Sequence, residues 1–98
     1  MPRVQQIDQV LIPCVKTRPG MFDTERLITV RDRSGEMLPM FTDQCTLFER
    51  NERQYIRATR MEIDEEAGFS VCLLPVLATE TPSMTRWVWV PNDEILPL

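Results

Sequence analysis

The chain has 98 residues, 43% hydrophobic and 27% charged, with a formal net charge of −4. That is one domain's length, since single domains usually run to about 100–150 residues. With three glycines and this apolar content, disordered and collagen-like classes are excluded. No apolar run approaches the ~18–20 residues of a membrane span, and Met1 to Gln9 carries no basic-then-apolar leader.

Strand signals dominate the chain from its start. Val10 to Lys16 alternates Val10, Ile12 and Cys14 against Leu11, Pro13 and Val15. The next segment, Arg18 to Asp23, holds a Pro-Gly turn signal with Met21 and Phe22 beside it. Phe22 either presents an apolar tip to a partner or folds back as a plug over one end of the core, and the plug is preferred. Arg26 to Arg31 sets Ile28 and Val30 on one face and Leu27 and Thr29 on the other. Arg33-Ser34-Gly35 then signals a tight turn, with Glu36 to Phe41 as the hairpin partner.

Thr42 to Gly68 supports two readings. Arg50, Arg53, Arg57 and Arg60 recur at helical spacing, which would line them along one face of a helix within residues 42–66. The apolar residues form no matching stripe, however, and Tyr55 to Asp64 followed by Glu65-Glu66-Ala67-Gly68 reads as strand and turn. The strand is the expectation and an α+β fold the alternative. Phe69 to Leu77 is apolar on both faces, the pattern of a fully buried strand. A polar loop, Thr79 to Ser83, precedes a final aromatic and β-branched strand, Thr85 to Val90.

Phe41 to Leu47 and Val90 to Leu96 share an order of apolar residue, short polar turn with Asp, and apolar close. The strands before them correspond in turn, which divides a single domain, 1–98, into half-repeats of about 7–49 and 54–98. The expected fold is mostly β, a small barrel or sandwich of about six strands with a weak internal two-fold repeat. In strand order, with a 3₁₀ turn before the last strand, each half resembles an SH3-type meander. Pro13, Pro39 and Pro75 lie inside strand-like runs and must occupy edges, bulges or breaks.

Charge bears on partners. Residues 1–60 carry a net +2 and residues 61–98 a net −6, a balance that does not favour a nucleic-acid partner. An Arg50, Arg53, Arg57 and Arg60 stripe is the one feature that would. Cys14, Cys45 and Cys72 are odd in number and widely spaced, and there is no histidine. A reducing cytoplasm fits that count, and neither a zinc site nor another cofactor is expected. Glu62, Asp64, Glu65 and Glu66 lack a calcium-loop pattern and read as a solvated turn.

Without histidine, the Ser-His and Cys-His pairs of nucleophilic catalysis are missing. A non-enzymatic binding domain is therefore expected, whose partner is another protein or a second copy of the chain. Trp87 and Trp89, two apart on a strand, share a face. Aromatics dominate small cores, which favours the indoles inside; turned outward, they would form a platform for a partner. The partner-binding candidates are Trp87, Trp89, Phe22 and Tyr55. The competing reading is a small enzyme or ligand binder with Asp, Glu and Arg side chains lining a cleft.

Overall fold

A computed structural model describes residues 3–80 and 86–98. Among them are ten strands: β1 (Arg3–Pro13), β2 (Lys16–Pro19), β3 (Glu25–Arg31), β4 (Met37–Asp43), β5 (Leu47–Arg50), β6 (Arg53–Asp64), β7 (Phe69–Leu73), β8 (Ala78–Thr79), β9 (Trp87–Pro91) and β10 (Leu96–Pro97). Two 3₁₀ turns, Gln44–Thr46 and Asn92–Glu94, fall in the two segments singled out by their shared pattern. Thr81, Pro82, Ser83 and Thr85 lie outside the described residues.

The fold is mostly β. The larger sheet runs β10-β1-β6-β7-β9, with β5 also paired to β6, and the smaller runs β2-β3-β4-β8. They pack as a sandwich and do not close into a barrel, so of the two expected architectures the sandwich is the one formed. The estimate of six strands was too low. It missed β2, β5, β8 and β10, which have four, four, two and two residues. Pieces so short leave little period-2 pattern to read.

The helical alternative for residues 42–66 is overturned. Arg53–Asp64 forms one 12-residue strand that pairs with β1 along one edge and with β5 and β7 along the other. The β5–β6 link is a two-residue turn in which Asn51 and Glu52 both take positive φ, 52° and 65°. That is the type I′ conformation whose twist suits a hairpin. The following turn uses a glycine instead: Gly68, at φ 81°, ends the loop into β7.

The core joins Val10, Ile12, Ile56, Ala58, Cys72, Val88 and Val90 of the larger sheet to Ile28, Val30, Leu38 and Met40 of the smaller. The chain crosses to the smaller sheet after β7 and returns to the larger one for β9. Leu74 stays buried, Pro75 breaks the ladder, and the Leu77 amide donates to the Phe41 carbonyl at 2.7 Å before β8 pairs with β4. Phe69 to Leu77 is thus not a single buried strand: β7 ends at Leu73, and Leu77 is 64% exposed.

Pro39 lies in the middle of β4, with its carbonyl accepting from the Glu80 amide at 3.1 Å. The N and O of a strand residue project from the same edge, so its missing N–H faces the short outer segment. Pro13 ends β1.

Candidate functional site

Strand alternation puts Trp87 and Trp89 on one face of β9 and Val88 and Val90 on the other. The structure settles which face is inside. Val88 and Val90 are 1% and 2% exposed, whereas Trp87 is 47% exposed and Trp89 half-buried. The expectation that the indoles lie in the core is therefore corrected. The reason is volume. Val88 and Val90 stand opposite Cys72 and Ser70 of β7, and among the described residues the buried cluster they join is aliphatic and small, filled at native packing density without an indole.

The same register aligns Phe69, Val71 and Leu73 with Pro91, Trp89 and Trp87 on the outer face. All three β7 residues are half-buried. The two-sided apolarity of this run thus has a structural meaning: one side lines the core, and the other continues the tryptophan surface. Phe69, Val71 and Leu73 were not among the candidate residues, though that two-sidedness was the signal that marks them.

The site is held from the side by the β3–β4 hairpin. Asp32 Oδ1 accepts from the Trp89 amide at 2.9 Å and Asp32 Oδ2 from Ser34 Oγ at 3.2 Å. Where a further strand would pair, a carboxylate occupies the N–H of an edge strand, one way of blunting such an edge. Arg33, next in sequence, sets its guanidinium 4.3 Å from the centre of the Trp89 ring, within cation–π range. Sequence reading saw a turn here but not its target, because the contact is long-range.

The four candidate residues do not assemble into one surface. Phe22 is 70% exposed on the β2–β3 loop, with Met21 at 82%, so it is not the plug that was expected. Glu25 explains the loop's shape: its Oε1 accepts from the Met21 amide at 2.7 Å, and its carbonyl accepts from Gly20 N. That closure orders the loop without drawing Phe22 inward. Tyr55 is buried, 6% exposed, and stands across from Pro13 and Phe48 on β1 and β5.

The arginine stripe is dispersed by the strand geometry. Arg50 and Arg53 face each other across the hairpin, Arg53 lies 3.9 Å from Glu94, and Arg60 makes a two-pronged contact with Asp8 at 3.0 and 3.2 Å. Of the acidic stretch expected as a turn, Glu62 and Asp64 lie in β6, and only Glu65 and Glu66 are in the turn that follows, where Asp64 Oδ1 accepts from Ala67 N at 3.0 Å. Among the described residues no group of three or more acidic or thiol side chains is placed to hold a metal.

All three cysteines are free. Burial pushes the Cys14 and Cys72 thiols up to about 12, which leaves both protonated and unreactive at neutral pH. Cys45 is exposed, and its thiol is also raised, chiefly by its hydrogen bond to Asp43. Replacing Asp43 by Asn removes the anion that opposes the thiolate. In a pH profile of disulfide-exchange labelling, the inflection for Cys45 will move to lower pH in Asp43→Asn; an unmoved inflection would show that the carboxylate is not the cause.

A concavity of about 720 Å³ opens at one end of the sandwich. It is bounded by the β1–β2 corner, the β3–β4 hairpin, the β5–β6 turn and the start of the 3₁₀ turn after β9. Compared with protein-family models, with curated proteins and with solved structures, the chain matches none of them.

Proposed function

We propose that this chain is a non-enzymatic binding domain that works through the outer face of β7 and β9, and that the partner seated there is a second copy. The observation that carries the reading is the outward turn of Trp87 beside Leu73 while valines take the core. Large aromatic side chains concentrate binding energy at interfaces, and two-fold pairing of identical patches is the commonest assembly. Charge placement favours self-pairing. On the outer face of β6, Arg57 stands at one end and Glu62 and Asp64 at the other. A two-fold axis lying in the plane of this face and perpendicular to β6 brings the basic end of each copy to the acidic end of the other.

On this reading the reciprocal pairings of the halves, β5 with β6 and β10 with β1, belong to the two-fold repeat and its SH3-type resemblance. The three free cysteines fit a reducing cytoplasm. No helix among the described residues is long and apolar enough to cross a membrane.

Sedimentation over a concentration series tests the proposal. The wild type will shift from monomer to dimer, Trp87→Ala will remain monomeric over the same range, and Met21→Ala will behave as wild type. A wild type that stays monomeric throughout overturns self-pairing, and iodide-inaccessible tryptophan emission in a monomer overturns the surface itself.

A further inference from the structure

The end cleft lies apart from Trp87, and its makeup points to a different kind of occupant. Its volume, about 720 Å³, falls in the ~300–1,000 Å³ range of small-molecule sites. Its floor is apolar and already built: Ile12 and Val90 are the open end of the core. Cys14 is also in the wall, but its buried thiol holds its proton, so it offers no nucleophile.

The charges around the mouth are unequally engaged. Among the acids, Asp32 already accepts from Trp89 N and Ser34 Oγ, and Glu94 sits near Arg53. Of the cations, Arg33 stacks on Trp89, while Lys16 and Arg31 are exposed and make no ion pair among the described residues. Lys16 is opposite Thr29 on β3, and Arg31 follows Thr29 by two residues, so the two cations share a face as diagonal neighbours. Like charges so placed repel. An anion between them removes that repulsion and gains charge-assisted hydrogen bonds. Glu52 remains at the rim in its positive-φ turn and selects against a second acid group on the far side.

We infer that this cleft binds a small organic monoanion, its acid group on Lys16 and Arg31 and its apolar body on the Ile12 and Val90 floor. The test uses two fluorescent probes of similar shape, the anionic anilinonaphthalene sulfonate and the neutral phenylnaphthylamine. The sulfonate will bind the wild type at one site per chain and at least tenfold more tightly than the neutral probe. In Lys16→Gln/Arg31→Gln it will lose at least tenfold in affinity, while the neutral probe changes less than twofold, which reports an intact floor and fold. Trp87→Ala will leave both titrations unchanged, so failure here is separable from failure of the dimer. Equal affinity for the two probes, sulfonate binding indifferent to the double variant, or its loss in Trp87→Ala would each overturn the inference.

Discussion

Raising the pH from 9 to 12 will unfold this protein, and a variant lacking Cys14 and Cys72 will survive most of that range. Burial, the largest cause for both thiols, lifts them from an ordinary value of 9.0 to about 12, with nearby Arg53 and Arg60 pulling slightly the other way. The folded chain therefore keeps two protons that the unfolded chain releases. The stability they confer is fully present below pH 9 and drains away as the pH climbs towards 12. At 1.36 kcal/mol per pH unit, the loss approaches about 4 kcal/mol for each thiol. Two such losses rival the whole margin of about 5–10 kcal/mol for a domain of this size. Circular dichroism against pH will place the alkaline midpoint of Cys14→Ala/Cys72→Ala above that of the wild type. Coincident midpoints would assign alkaline unfolding to other groups.

Ile56→Ala will cost about 2–5 kcal/mol, the usual range for truncating a buried aliphatic side chain. Ile56 is fully buried on β6 and has cross-strand partners on both edges, Ile12 of β1 and Leu47 of β5. No neighbour is free to collapse into the space without disturbing a ladder, which places the cost towards the upper end. For a chain of this length that lowers the melting temperature by on the order of 15–20 °C. Trp87→Ala removes a larger side chain from the outer face but will change the stability of the monomer by about 1 kcal/mol or less. Thermal melts of the two variants, read at a concentration where the wild type is monomeric, check the contrast. A comparable loss in both would mean that the indole supports the fold.

Much of the sandwich was legible in the sequence because alternation reports directly on half-buried strands. β3, β4 and the long β6 emerge from Arg26 to Arg31, Glu36 to Phe41 and Tyr55 to Asp64 for that reason. Alternation also showed that Trp87 and Trp89 share a face. It is silent on which face is inside, because both sets on β9 are apolar. The deciding fact appears only in the folded sheet, where Val88 and Val90 are buried beside Cys72 and Ser70 while Trp87 stays 47% exposed. Phe22 was misread for a related reason: a loop's apolar residue points where the loop's hydrogen bonds allow, here those of Glu25. The end cleft was invisible because its walls come from five separate stretches of chain. Only the charges of Lys16 and Arg31 were available beforehand, without the proximity that gives them meaning.

The placement of β1 has a consequence for how the molecule comes into being. Its two neighbours are β6, in the middle of the chain, and β10, near residue 98. During synthesis the Val10 to Ile12 segment leaves the ribosome long before either arrives. Until Leu96 has been added, Leu11 lacks the residue that flanks it in the finished sheet. Such distant closures slow folding into the millisecond-to-second range. In that interval a sticky, half-finished ribbon is on offer to other nascent chains, and the crowded cell, more than the completed protein, is where this sequence is most vulnerable to aggregation.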